Sequence, residues 1–156
     1  MRSWIFRAAA LWTAVGLAGG LFYREFTKAN GVPGGTQLAV VHTHTLVLGT
    51  MMMLLWFLLV GVWPGLARRR SFRAGFWVWQ AGLALTTGGM LVKGCLQVLK
   101  RAAADSPAIA GVSGLGHMTL SAAFVLLFVA LAGVARGADA DAAVGTRRVD
   151  LEPATR

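Results

Sequence analysis

Three histidines carry the chemistry this sequence offers. His42 and His44 open the longest apolar run of the chain, in Val41-His-Thr-His-Thr-Leu-Val-Leu-Gly49 and the stretch from Thr50 to Val60 that follows. His117 opens another, directly after Gly111-Val-Ser-Gly-Leu-Gly116. Imidazole is a poor guest in hydrocarbon, and an ionisable or metal-ligating side chain in a membrane segment is a functional hypothesis by default. The alternative is a set of histidines at headgroup level, wetted by water. On a helix His42 and His44 leave about 200° apart, from nearly opposite sides. They cannot chelate one ion as an i,i+4 pair does, but they can serve two different sites. Met51, Met52 and Met53 fan around the helix in the same way and read as core fillers, not as thioether ligands.

The elements that position these residues follow from composition. Of 156 residues, 56% are hydrophobic and 13% charged, well to the apolar side of soluble domains. Four segments each offer roughly the 20 apolar residues that a hydrocarbon core of about 30 Å demands: 4–22, 40–63, 74–99 and 116–135. The expected fold is all-α, a polytopic membrane protein with a four-transmembrane-helix bundle over 1–136 and a disordered cytoplasmic tail over 137–156. A single cysteine, Cys95 in the third segment, excludes a disulfide framework and a CxxC metal site.

The net charge of +9 does not point to nucleic acid, because the basic residues sit in the loops and flanks of the segments. Arg2, Arg7, Arg68, Arg69, Arg70, Arg73, Arg136, Arg147, Arg148 and Arg156 fall on one side. Arg24, Lys28, Lys93, Lys100 and Arg101 fall on the other. The side richer in Lys and Arg is normally cytoplasmic, so both termini are expected inside and all three histidines near the outer face. The first twenty residues mimic a signal peptide but lack an A-x-A site, and read as an uncleaved helix.

The turn from Asn30 to Thr36 breaks the first helix. In the third segment Gly75, Trp79, Gly82, Thr86, Gly89 and Lys93 recur at spacings of three and four, and Gln97 extends the row. That is one stripe of a helix. It suits either tight helix packing with a snorkelling lysine or a slot in which a flat group lies on glycine while a cation meets its charged edge. Gly49 and Gly89 are the expected close-approach positions. Ser113 is the expected N-cap of the last helix. In this topology Tyr23, Arg24, Glu25, Lys93 and Gln97 reach the level of the three histidines. Glu25 has a plainer alternative, an ion pair with Arg24 or Lys28 in water.

Haem b fits this convergence best. Its iron takes axial imidazoles from facing helices, its macrocycle is flat and apolar, and its propionates prefer basic residues near water. The sequence contains no C-x-x-C-H, which excludes covalent attachment. His42, His44 and His117 are the candidate ligands, with Arg24 and Lys93 as candidate propionate partners.

The same residues carry two resemblances. His42-Thr-His44-Thr-Leu-Val-Leu-Gly49 resembles the HxH helix in the catalytic subunit of haem–copper oxidases and their nitric-oxide-reductase relatives. The resemblance implies that His44 and His117 form a low-spin pair, with His42 in the place of a second haem's ligand. The chain has no His-His pair for copper and four segments in place of twelve, so haem ligation is implied without the oxygen chemistry. The second resemblance spans most of the chain. Tyr23 to Lys28 (YREFTK), the His42–Gly49 motif, Lys93-Gly94-x-x-Gln97 and Ser113 to His117 (SGLGH) are together similar to small bacterial four-span membrane proteins called domain of unknown function 2871. That family implies a multi-pass protein of the bacterial cytoplasmic membrane, and Lys93 stands where an arginine is expected.

The expected function is a haem b protein with bis-histidine ligation near the outer face, serving electron transfer or haem and gas sensing. Homo-oligomerisation and a respiratory-chain or quinone partner are expected with it. Two rival readings use the same residues: a copper- or zinc-binding or transport protein, and a non-catalytic accessory subunit of a respiratory complex.

Overall fold

The computed structural model describes the backbone of residues 1–151 and side chains as far as Gly137. Four long helices follow one another: α1, Arg2–Ala29; α2, Leu38–Val62; α3, Arg70–Val98; and α4, Pro107–Leu151. α1 stops where glycine permits a left-handed turn. Gly31 has φ 63°, its N–H donates to Lys28 O at 3.2 Å, and Val32 N–H donates to Thr27 O at 3.0 Å. These two bonds close carbonyls that the helix end would otherwise leave open. Short 3₁₀ turns at Pro64–Arg68 and Ala102–Asp105 join α2 to α3 and α3 to α4.

Three of the helices are long and apolar enough to cross a membrane: Arg2–Ala29, Leu38–Val62 and Pro107–Gly137. The chain is a multi-pass membrane protein, and large apolar side chains such as Leu17, Leu58, Val62 and Phe128 point outward to meet lipid. α3, which contains the predicted segment 74–99, is less apolar. Its polar and small residues are sheltered, because twelve of its positions are buried by the other helices.

The helices pack in chain order. α2 rests on α1 and α3, and α3 on α2 and α4, while among the described residues α2 and α4 make no extended contact with each other. A groove therefore runs between α2 and α4 with α3 as its floor. Glycine brings α3 and α4 together: a Cβ on Gly75 would lie 3.2 Å from Leu126, and one on Gly82 2.8 Å from Leu120 N. The main core, including Ile5, Met53, Trp56, Phe72, Phe76, Trp79 and Leu127, fills the half of the molecule that holds the N-terminus. The opposite half has only a small cluster of Leu38, Val41, Met90 and Val98.

Two local expectations are corrected. Ser113 is not an N-cap, since α4 begins six residues earlier at Pro107. Proline suits that first helical position because its missing N–H costs nothing there, and Ser106 O takes the Ile109 N–H at 3.2 Å. α2 is also not uniform: Thr45–Met51 is a π-helical turn. Such turns widen a helix locally and often stand beside functional groups. The helical backbone of α4 continues to Leu151, past the fourth predicted segment. The disordered tail expected over 137–156 lies, in its side chains beyond Gly137 and in its last five residues, outside the described residues.

Candidate functional site

Two of the three histidines stand at one level along α3, on the two helices that flank it. α3 runs antiparallel to α2: Gly94 abuts Leu38, and the Trp79 indole donates to Leu48 O at 2.9 Å. His44, between Leu38 and Leu48, is therefore level with the middle of that stretch, about Thr86. On the other wall, Gly116 abuts Thr86 and Gly89 abuts Ser113, so His117 comes to the same level. Trp79 also meets Phe124 of α4 edge-on, with centroids 4.7 Å apart. Leu48 lies one turn below His44 and Phe124 two turns below His117, so both histidines stand above walls that converge on Trp79. Trp79 and Thr86, seven residues apart on α3, are both fully buried at the foot of these walls, and Lys93 follows after one more repeat.

The two imidazoles are held in the same way. His44 Nδ1 lies 2.9 Å from Val40 O and His117 Nδ1 lies 2.8 Å from Ser113 O, each one turn back on its own helix. A carbonyl only accepts, so Nδ1 carries the proton in both rings. In a neutral ring held this way Nε2 keeps its lone pair, the arrangement in which a histidine can ligate a metal. His44 also lines a small cavity of about 280 Å³ with Thr43, Val47 and Leu48. His117 is exposed on the surface of α4. Beneath them the Thr86 hydroxyl is buried without a hydrogen-bond partner.

His42 belongs elsewhere. It faces α1, where its ring lies across Gly20 and stacks on Tyr23 at 6.5 Å between centroids and 17° between planes. Its Nδ1 is buried and unpartnered. The opposite departure of His42 and His44 read from the helical repeat is thus present, and one face of α2 serves each.

The remaining predicted residues divide. Lys93 is half-buried on α3, two turns beyond Thr86. Gln97 accepts the Gln37 N–H at 2.7 Å and ties the start of α2 to the end of α3, a structural bond. Arg24 and Glu25 approach each other at 3.7 Å on the exposed face of α1, in the plainer arrangement of the two expected for Glu25. Arg24, Glu25 and Tyr23 are on α1, so the convergence of all four helices on one place is not what forms; they belong to the His42 side. Gly49 and Gly89 are packed against protein, Gly49 on Trp12 and Gly89 on Ser113. The glycine stripe serves helix packing. Trp79, Thr86 and Phe124 were not among the expected site residues, and the seven-residue spacing from Trp79 to Lys93 is the signal that marks the first two.

Among the described residues no group of three or more His, Cys, Asp or Glu side chains comes together to hold a metal ion. Zinc sites normally take three or four protein ligands. A macrocyclic iron asks the protein for two, one on each face, and the groove offers two imidazoles on separate walls.

Comparison with known proteins bears on the fold and not on the chemistry. No curated protein and no solved structure matches the chain. One family model matches residues 1–134, nearly the whole of the described side chains, under the description "Protein of unknown function (DUF2871)". The match takes in the first three helices, most of α4 and all three histidines, and the chain belongs to the DUF2871 family.

Proposed function

We propose that this protein is a membrane haem b protein of the electron-transfer class, with His44 and His117 as the axial imidazoles in the α2–α4 groove. The matched Nδ1 bonds carry the reading. Two histidines on separate helices, level in register, each tie Nδ1 to a carbonyl of their own helix, and as neutral rings they would offer Nε2 to a ligand. The thin core of that half supports it, since a large apolar group would replace side chains the chain does not supply. Lys93 would meet a propionate, and Val47, Leu48 and Phe124 would cover the macrocycle. The bound group would supply one-electron exchange. With both axial positions filled by protein no position stays open for a gas, which favours electron transfer over gas sensing. A respiratory-chain or quinone partner would be the donor or acceptor. A second copy of the chain against the groove would shield its lipid-facing side.

The purified protein should be coloured, and acidified acetone should extract its haem because no thioether bond is made. A colourless protein that gains no Soret band on titration with haemin would end this reading.

We further infer that α3 crosses the bilayer with the other three helices, and that both termini lie on the cytoplasmic side of a bacterial inner membrane. The arginine distribution supports this orientation. In a cysteine-free background, Thr36→Cys should react with an impermeant maleimide added outside intact cells, and Ser71→Cys should not. The reverse labelling would invert the molecule.

A further inference from the structure

A second groove, on the other side of α2, lies between α1 and α3 near the N-terminus. It encloses about 420 Å³. Trp4 and Trp77 stand at its mouth edge to face, with centroids 5.8 Å apart. Ala8, Leu11 and Ala84 line it further in, and from Trp4 to Leu11 it runs roughly 10 Å along α1. The polar groups in its wall are already satisfied: Trp12 Nε1 donates to Gln80 Oε1 at 2.6 Å, and Gln80 Nε2 donates to Met53 Sδ at 3.1 Å. Arg7 also lines the wall, with its guanidinium 5.7 Å over the Trp4 ring; the other lining side chains are apolar or paired, which suits a hydrocarbon chain.

The mouth has the opposite character. A cavity of about 480 Å³ continues from Trp4 and Trp77 and is lined by Arg68 and Arg73. A third, of about 260 Å³, joins Arg70, Arg73 and Trp77. Two neighbouring arginines are occupied: Arg69 donates to Gly133 O at 2.7 Å, and Arg2 lies 4.5 Å over the Phe57 ring. Arg68, Arg70 and Arg73 have no acidic partner among the described side chains; the acids described, Glu25 and Asp105, are at the opposite end of the helices. Guanidinium groups bind phosphate well, and basic pockets between membrane helices are sites where anionic headgroups collect.

We propose that this groove binds one anionic phospholipid, with an acyl chain between α1 and α3 under Trp4 and Trp77 and its phosphate on Arg68 and Arg73. The site is independent of the histidine groove, and each can exist without the other.

The test is native mass spectrometry of the delipidated full chain, titrated with phosphatidylglycerol and, separately, phosphatidylcholine. One phosphatidylglycerol should bind in clear preference. Each guanidinium removed should weaken it about fivefold, so Arg68→Gln/Arg73→Gln should lose the preference. Arg136→Gln, at the same end but outside the groove, should keep it. Ala84→Trp fills the apolar part with the arginines intact and should also lose the bound lipid, while circular dichroism shows that each variant remains helical. Equal binding of the two lipids would overturn the proposal. So would equal losses in Arg136→Gln and the double variant, because a diffuse charge effect would then explain the preference. Unchanged binding in Ala84→Trp would remove the groove from the site.

Discussion

His117→Ala is expected to abolish the sharp visible bands of the reduced protein, and His44→Ala to do the same. Each ring is held through Nδ1 on its own helix, and no other histidine, cysteine or carboxylate joins either into a larger ligand set among the described residues. Loss of one leaves the iron held from one side and high-spin, or the groove empty. His42→Ala should leave the bands in place, since that ring stacks on Tyr23 across Gly20 on the opposite face of α2. The three variants must be read together. Equal losses in all three would mean that the histidines act through folding. Full haem retained by the His44→Ala/His117→Ala double variant would dismiss these ligands outright.

Gly116→Ala should lower stability strongly. A Cβ there would lie 2.6 Å from the Thr86 N atom, inside the backbone of the facing helix, where no side chain can swing aside. Two helices must separate to admit one methyl group. Overpacking of this kind costs about 1–3 kcal/mol and sometimes more. Gly114, two residues earlier on the same helix, has nothing within 4 Å of its Cβ position. Gly114→Ala should remain within about 1 kcal/mol of the parent, because only helix propensity changes. Thermal denaturation in mild detergent separates them: a large drop in midpoint is expected for Gly116→Ala and little change for Gly114→Ala. Equal midpoints would mean that α3 and α4 are not in this close contact. His117 adjoins Gly116, so the first variant should also weaken haem binding.

The helices were legible because apolar runs of membrane length leave little choice of structure. α2 and α3 appear within a few residues of the predicted segments, while α1 runs on to Ala29 and α4 starts early, at Pro107, within a glycine-rich stretch that looks like a turn. The stripe on α3 was legible as a stripe, but its meaning was not. Gly75, Gly82, Thr86 and Gly89 turn toward α4, whereas Trp79 reaches both Leu48 of α2 and Phe124 of α4. Periodicity gives a face its composition and leaves its neighbour unstated. The divergence of His42 and His44 followed from the helical repeat alone. The gathering of Tyr23, Arg24 and Glu25 with the other polar residues did not follow, because shared depth in a membrane says nothing about which side of a helix a residue occupies. The π turn at Thr45–Met51 and the two Nδ1 bonds are matters of local backbone geometry, and no residue pattern announces them.

The most direct measurement is the visible spectrum of the purified protein, oxidised, then reduced with dithionite, then exposed to carbon monoxide. Reduction should produce narrow, well-separated α and β bands of a low-spin b-type centre, and carbon monoxide should leave them unchanged because His44 and His117 fill both axial positions. A haem spectrum that shifts at once on adding carbon monoxide would contradict the paired ligation, and the absence of any haem spectrum before and after titration with haemin would contradict the function.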